Sequence, residues 1–418
     1  MAKKDSKELT FIDLDNSLSK LDSRGSISSK NAFSKVDDFI DTGNLLFNAQ
    51  ISGSLYGGIP NSRTVAFAGS TGTGKTFLAL NCCRQAQKKG YYIIYCDSEA
   101  AVDEIQFKKF GMDPDKVRYQ PINTPLEFKY FIANLLKEIK DAKESGKKIP
   151  KIMIVLDSLG NLATTKERSD ALAKSEKKDM TKQQELRSLF RIITMDLAEA
   201  KIPFIMTAHT YAGIGGFIPE DVMSGGGGPL YNASVITFLY KSQLKEEKPK
   251  DERDVDMKQS GIVVRSKPKK NRFARPIQIR FHISFYKGMN PYVGLEEFIN
   301  WDSCGIERGH ILEEKAISKL KPEELEEAKK NNWLFEYEGE QKCFWPKSTA
   351  RKFVVRHLCK TVEPGRLFTP EIITDEVIQE LDEKVIKPTF QLPDVDDIYD
   401  VEEFASEIFE DKKEDEDQ

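Results

Sequence analysis

The sequence lacks any apolar run long enough to span a membrane. Its longest apolar stretches, such as residues 152–156, have the length of a buried strand, whereas a spanning helix needs about 20 apolar residues. The opening segment MAKKDSKELT has no apolar core of the kind that a secretory signal carries. We therefore expect neither a membrane partner nor export, and we place the protein in the cytoplasm.

Cysteine and histidine are also sparse. The chain has six cysteines and four histidines, and they form no C-x-x-C pair and no metal-ligand spacing. This excludes the common disulfide frameworks and structural zinc sites, and it fits the reducing interior of a cell.

Charge is nearly balanced overall but unevenly distributed. The net charge is −4, yet residues 394–418 hold 13 acidic residues and two lysines, so that this segment carries −11 and residues 1–393 carry +7. Such a segment is typical of a disordered, solvated tail. A second interpretation, in which the tail screens a cationic binding surface, is compatible with the first.

Hydrophobic patterning predicts an α/β protein. Short apolar runs are expected to form strands at residues 64–68, 91–96, 152–156, 204–208, 235–240, 261–265 and 277–285. Helix-length stretches separate the first four, which indicates parallel strands covered on both faces. The last three are separated by loops, which indicates an antiparallel extension with a charged hairpin connection at residues 241–258.

Composition divides the chain into four parts: an arm (1–35), a core (36–300), a small C-terminal domain that contains all three tryptophans (301–393) and the acidic tail (394–418).

The sharpest motif is a full match to G-x-x-x-x-G-K-[ST] between a predicted strand and a predicted helix. In such a loop the backbone N–H groups and the helix N-terminus bind phosphates. The lysine reaches the β- and γ-phosphates, and the hydroxyl that follows it binds Mg²⁺. The sequence therefore predicts an ATP site with Mg²⁺, formed by Gly69, Ser70, Thr71, Gly72, Thr73, Gly74, Lys75 and Thr76.

Acidic residues follow two other predicted strands. Asp157 ends the run IMIVLD, where a carboxylate suits a metal-bound nucleotide. Glu99 follows YYIIYCDS, and ligands gather at the carboxyl ends of strands in open α/β sheets. Glu99 is a candidate for the base that orients water toward the γ-phosphate. The alternative for this segment is a helix N-cap supplied by Asp97 or Ser98.

A glycine-rich segment follows the fourth predicted strand, and basic segments follow the third and the sixth. His209 ends the fourth strand and precedes a run of four glycines, which suits either a loop that orders on a partner or a flexible linker. Residues 164–191 and 265–275 are rich in lysine and arginine, which indicates either solvated faces or contacts with nucleic acid.

The order of these motifs resembles that of the RecA-type recombinases, and in particular of the UvsX-type phage recombinases. The resemblance rests on the segments DSLGNLATTKERSDAL, LRSLFRIIT and MSGGGGPLYNA and covers roughly residues 40–300. It implies a RecA-like P-loop ATPase core with a mostly parallel, twisted sheet flanked by helices. It also implies an N-terminal polymerisation arm and a small C-terminal α+β domain.

The resemblance further implies an ATP- and Mg²⁺-dependent DNA recombinase, found in an infected host cell if a phage encodes it. Such a protein forms helical filaments on single-stranded DNA and promotes pairing and strand exchange with homologous duplex DNA. The expected partners are single-stranded DNA, duplex DNA, further copies of the chain, and single-strand-binding and mediator proteins.

The family's roles transfer to matching positions of this sequence. Glu99 would be the catalytic glutamate, Asp157 would support the metal, and His209 would sense the γ-phosphate. Lys270 and Arg272 would reach the γ-phosphate of a neighbouring subunit. Gln106 stands where relatives stack an aromatic ring on adenine, and Phe107 is the alternative. The DNA-binding candidates are Lys166, Arg168, Lys174, Lys177, Lys178, Lys182, Arg187, Gly225, Gly226, Gly227 and Gly228.

Two other functions use the same core. A hexameric DNA helicase would need a substantial helical domain before the core, which an arm of 35 residues does not supply. A binding module that ATP merely switches would show negligible DNA-stimulated ATP hydrolysis.

Overall fold

The computed structural model describes residues 11–21, 35–167, 181–213, 221–225, 227–245, 259–298, 306–337, 339–345, 352–355, 366–367 and 373–393. The chain divides into two units made of interleaved segments. The first unit comprises Met1–Gly43, Ile59–Lys270 and Ile283–Gly288, and the second comprises Asn44–Gly58, Asn271–His282 and Met289–Gln418. The four-part division by composition remains a prediction.

The helices and strands are numbered here along the chain. The helices are α1 (Phe11–Leu21), α2 (Leu45–Ser52), α3 (Lys75–Lys88), α4 (Glu104–Lys109), α5 (Pro125–Glu144), α6 (Thr181–Glu199), α7 (Gly227–Asn232), α8 (Glu314–Ile317), α9 (Pro322–Lys330), α10 (Asp375–Leu381) and α11 (Lys387–Phe390). The strands are β1 (Phe39–Ile40), β2 (Ile59–Pro60), β3 (Thr64–Gly69), β4 (Tyr92–Asp97), β5 (Val117–Pro121), β6 (Ile152–Asp157), β7 (Phe204–Ala208), β8 (Thr210–Ala212), β9 (Asp221–Met223), β10 (Val235–Lys245), β11 (Gln259–Asn271), β12 (Ile279–Ser284), β13 (Gly288–Met289), β14 (Ile306–Leu312), β15 (Leu334–Tyr337), β16 (Glu340–Trp345), β17 (Lys352–Val355) and β18 (Arg366–Leu367).

The first unit is built on a mostly parallel sheet. Seven of the nine strands of this sheet lie in the order β11-β10-β3-β7-β6-β4-β5, and six of these seven, from β10 to β5, pair in parallel. The prediction of parallel strands for the first four apolar runs is confirmed. Strand β5 was not predicted, because its sequence VRYQP is polar and largely exposed at the sheet edge.

The extension beyond β10 has the predicted antiparallel character. The hydroxyl of Thr237 on β10 contacts that of Ser266 on β11, and the hydroxyl of Ser260 donates to the carbonyl of Leu244. Because the residue numbers of these contacts rise along β10 while they fall along β11, the contacts match an antiparallel pair. Residues 246–258, in the predicted hairpin connection, lie outside the described residues.

Helices cover the sheet because each presents an apolar face. Helix α5 begins at a capping box in which Thr124 and Glu127 each accept the other's backbone N–H. The rings of Phe128 on α5 and Phe190 on α6 pack against Phe204 of β7, with centroids 5.8 and 6.4 Å away. This buried layer lies at the amino end of β7 and packs both helices against the sheet.

The second unit has its own small sheet. Its strands lie in the order β15-β16-β14-β17-β18, and all neighbours are antiparallel. Trp333 and Trp345 meet edge to face with centroids 6.2 Å apart, and Phe344 is buried in the same cluster. Trp301 lies outside the described residues. Within the described part of the chain, no helix combines the length and the apolarity needed to cross a bilayer.

Candidate active site

The phosphate loop joins β3 to α3, as the motif predicts. Gly72 and Gly74 adopt the left-handed conformation, with φ of +76° and +89°, which residues with a Cβ rarely adopt. A Cβ on Gly74 would also lie 2.7 Å from Cδ1 of Ile283. Gly74 is the N-cap of α3 and offers no side chain to its first N–H groups, so a phosphate can accept from them.

Lys75 lies inside this loop. Its ammonium donates to the carbonyl oxygens of Gly69 and Ser70, both at 2.9 Å, and the residue is buried. Burial lowers the pKa of Lys75, while the charges of Asp157 and Glu99 raise it. The two predicted acidic residues are therefore close enough to act on the phosphate-loop lysine.

Asp157 is fixed from both sides at the end of β6. Its carboxylate accepts hydrogen bonds from the hydroxyl of Tyr95, at 2.7 Å, and from that of Thr207. All three residues are buried. Burial, followed by the charge of Asp157, raises the pKa of Tyr95, so the phenol remains a donor. The motif search missed Tyr95 and Thr207, because their contacts cross from one strand to the next.

Removing the Tyr95 hydroxyl should destabilise the protein. We expect Tyr95→Phe to lower the free energy of unfolding by about 1–3 kcal/mol, since a buried carboxylate loses a donor. Tyr92, on the same strand, is 48% exposed, and Tyr92→Phe is the matched control, with an expected change below about 0.5 kcal/mol. Urea denaturation measures both values. Equal effects in the two variants would contradict a specific role for the Tyr95–Asp157 hydrogen bond.

Asp97 organises the loop that carries Glu99. Its carboxylate accepts from the backbone N–H groups of residues 99, 100, 101 and 102 and from the hydroxyl of Tyr119, at 2.7–3.3 Å. The N-cap of α4 is Asp103, so the alternative that Asp97 or Ser98 caps the next helix is wrong. Asp97 instead holds the loop that carries Glu99.

Glu99 and His209 meet although 110 positions separate them. Nε2 of His209 lies 3.2 Å from Oε1 of Glu99. The same oxygen accepts a hydrogen bond of 2.6 Å from the hydroxyl of Ser158. Ser98 ties the two strand ends together, because its hydroxyl donates to the carbonyl of Ser158 and accepts from its N–H. The predicted base and the predicted sensor therefore share one cluster.

The two residues considered for contact with adenine, Gln106 and Phe107, differ in their exposure. Gln106 is half-buried on α4. Phe107 is only 3% exposed and packs edge-on against Tyr95, with centroids 5.5 Å apart. Phe107 is thus a core residue with no ring face to offer a base, which removes it as the stacking residue.

Lys270 and Arg272 lie in different surroundings. The ammonium of Lys270 donates to the carbonyl oxygens of Leu230 and Tyr231, at 2.9 and 2.8 Å, near the end of α7. Arg272 is exposed. Their contact with a neighbouring subunit's nucleotide remains a prediction.

The structure describes part of the predicted DNA-binding set. Lys166 and Arg187 are exposed, and the ammonium of Lys182 donates to the carbonyl of Gly160 at 3.1 Å. Gly225 has φ of +95°, and a Cβ on Gly228 would lie 2.9 Å from the backbone nitrogen of Arg187. Gly227 begins α7. Arg168, Lys174, Lys177, Lys178 and Gly226 lie outside the described residues.

Comparison with known proteins decides the family. The family model described as the RecA N-terminal domain matches residues 14–290, which is well over half of the chain. The chain belongs to the RecA family. Membership makes it a recombinase and a DNA-dependent ATPase, and it confirms the RecA-like fold predicted from the motifs. Nothing in the matches supports the helicase alternative.

Individual RecA relatives extend this result. The "Recombination and repair protein" of Enterobacteria phage T4 is 27% identical over 392 residues, which cover 89% of this chain and 93% of that protein. "Protein RecA" of Thermus aquaticus is 26% identical over 313 residues, covering 69% and 83%. "Protein RecA" of Rhodopseudomonas palustris is 28% identical over 239 residues, covering 56% and 62%. The resemblance to phage recombinases is confirmed.

Proposed function

We propose that this chain assembles with ATP and Mg²⁺ into a helical filament on single-stranded DNA and exchanges strands with a homologous duplex. The observation that carries the proposal is the cluster of Glu99, Ser158 and His209 beside the phosphate loop. This cluster joins Glu99, the proposed base for hydrolysis, to His209, which precedes the run of four glycines at residues 225–228.

The residues support a division of labour in hydrolysis. The loop N–H groups and Lys75 hold the phosphates. The hydroxyl of Thr76 and the carboxylate of Asp157 would hold Mg²⁺, an ion that prefers oxygen ligands and that neutralises phosphate charge when bound. Glu99 orients the attacking water and accepts its proton. Ser158 and Asp97 position Glu99 for that step.

His209 is proposed to connect nucleotide state to DNA binding. It lies against Glu99 at one end, and its carbonyl accepts the N–H of Ser224 at 2.8 Å. Ser224 precedes Gly225, in the loop proposed to contact DNA. A change at the γ-phosphate would therefore reach this loop through a single residue.

The remaining parts take the roles expected from the family. Helix α1 carries exposed apolar residues, including Phe11 and Leu18, which suits an arm that contacts the next protomer. Lys270 and Arg272 would act on the neighbour's nucleotide, so that ATP stabilises the contact between protomers. Single-strand-binding and mediator proteins are proposed as further partners.

Asp97→Asn tests how Glu99 is positioned. An amide cannot accept all five hydrogen bonds of the carboxylate, so the loop should shift. We expect kcat for ATP to fall about 10-fold, which corresponds to about 1.4 kcal/mol of transition-state stabilisation, with nucleotide affinity unchanged. Asp103→Asn in the same segment is the control, because asparagine caps a helix as well as aspartate does. A parallel loss of nucleotide affinity in Asp97→Asn would indicate a general structural role instead.

Electron microscopy tests the proposal as a whole. Purified protein with single-stranded DNA and a non-hydrolysable ATP analogue should form helical filaments. Rings would favour the helicase, and protein that stays monomeric on DNA with every adenine nucleotide would overturn the proposal.

A further inference from the structure

A lysine outside the phosphate-loop motif lies against the loop. Strand β10 pairs in parallel with β3, and Leu239 is the partner of Gly69, where β3 ends. Strand β10 continues to Lys245. Lys241 therefore lies on β10 two residues beyond the partner of Gly69, next to the turn that follows β3.

The contact is direct. The ammonium of Lys241 donates to the carbonyl oxygen of Thr71 at 2.8 Å. A Cβ on Gly72 would lie only 2.6 Å from the same nitrogen. The specified glycines of the motif are Gly69 and Gly74, so the motif alone does not explain Gly72. A side chain at position 72 would displace Lys241 as well as strain the turn.

This contact has a consequence for the loop backbone. In a trans peptide the C=O of one residue and the N–H of the next point in opposite directions. Holding the Thr71 carbonyl toward Lys241 therefore turns the N–H of Gly72 away from β10. A fixed peptide is pre-organised, and its N–H need not be reoriented when an anion binds.

The charges near the phosphate loop also favour an anionic ligand. The ammonium of Lys241 is close enough to lower the pKa of Lys75, although burial is the main cause. Two cations thus act on the same short loop. A polyphosphate between them would relieve their repulsion and gain attraction from both.

We propose that Lys241 is a nucleotide-binding residue: it fixes the Thr71–Gly72 peptide and adds a second ammonium, from the same chain, for a bound triphosphate. This inference rests on the proposed ATP site and identifies an additional group in it. The register of β10 on β3 identifies Lys241, which belongs to no sequence motif.

Nucleotide titration without DNA tests the inference. With a fluorescent, non-hydrolysable ATP analogue and Mg²⁺, Lys241→Met should raise Kd about 10-fold, because the charged donor that fixes the Thr71–Gly72 peptide and attracts the phosphates is lost. Lys241→Gln should raise it about 3-fold, since the amide still donates but carries no charge. The control is Lys269→Met on the adjacent strand β11, where the ammonium lies 5.6 Å from the ring centroid of Phe238. Its Kd should stay within twofold of the wild-type value.

The possible results distinguish failure of the proposed ATP site from failure of the role of Lys241. If the wild-type chain binds no adenine nucleotide, the proposed ATP site fails. If the wild type binds nucleotide and the Kd of Lys241→Met stays within twofold of the wild-type value, this inference alone is overturned. If Lys241→Met does not fold, the same criterion applies to Lys241→Gln. An equal loss in Lys269→Met would also overturn it, because the effect would then be one of overall charge.

Discussion

Replacing Glu99 with glutamine should lower kcat for ATP by at least about 100-fold, the lower range for a general base, while ATP-dependent filaments persist. Glutamine keeps the shape of glutamate and can still accept from the Ser158 hydroxyl, which lies 2.6 Å from Oε1. It has no basic carboxylate to take a proton from water. Phosphate release measures turnover, and electron microscopy with single-stranded DNA measures assembly.

Glu104 provides the control for this substitution. It lies on α4, its side chain is 66% exposed, and its ion pair with Lys108 is on the surface. Glu104→Gln should leave turnover within twofold of wild type, because an exposed pair contributes little. Rapid hydrolysis by Glu99→Gln would remove Glu99 from its role. Loss of filaments in that variant would instead assign Glu99 to assembly.

Arg272→Ala should weaken hydrolysis and cooperative assembly together. A cation supplied by a neighbouring subunit can contribute about 10³ to 10⁵ in rate, so turnover should fall by about 10³ or more. Arg272 is exposed and thus accessible to another subunit. Steady-state ATPase assays and DNA-binding isotherms over a range of protein concentrations measure the two effects.

Mixing variants tests whether Arg272 acts between subunits. Lys75→Ala loses its own phosphate site but keeps Arg272, so each variant alone is inactive. In a random equal mixture about one interface in four joins an intact Lys75 to an intact Arg272, since the contact is heterologous. Turnover should therefore recover to about a quarter of wild type. A mixture no more active than its components would place Arg272 in its own subunit's chemistry.

Arg275 is the matched control in the same basic segment. Its guanidinium donates to the carbonyl of Pro388 at 3.4 Å. Arg275→Ala should keep hydrolysis within about threefold of wild type, because this long hydrogen bond contributes little. A loss as large as that of Arg272→Ala would show that the segment acts through its total charge.

The position of Lys270 refines this hypothesis. Its ammonium is held by two carbonyls near the end of α7, at Leu230 and Tyr231. To reach a neighbour's phosphate it would exchange these acceptors for the anion. Arg272 is therefore the better residue for a first test of action between subunits.

Contiguous segments of sequence predicted much of the site. The phosphate loop, the strand ending in Asp157 and the strand ending near Glu99 each depend on neighbouring residues, so each can be read locally. The same reading missed β5, whose exposed polar sequence lacks the apolar signal of the central strands. It also offered Phe107 as the alternative to Gln106 for stacking on adenine, although the ring packs in the core beside Tyr95.

By itself, the sequence determined the family, the α/β class and the chemical character of each candidate residue. The tertiary structure alone decided which candidates meet: Glu99 with Ser158 and His209, Asp157 with Tyr95 and Thr207, and Lys241 with Thr71. The reason is that the sheet pairs strands that lie far apart in the chain: β4 with β6, and β3 with β7 and β10. Strand order and register bring their ends together, and they depend on how buried faces pack over long separations rather than on local pattern.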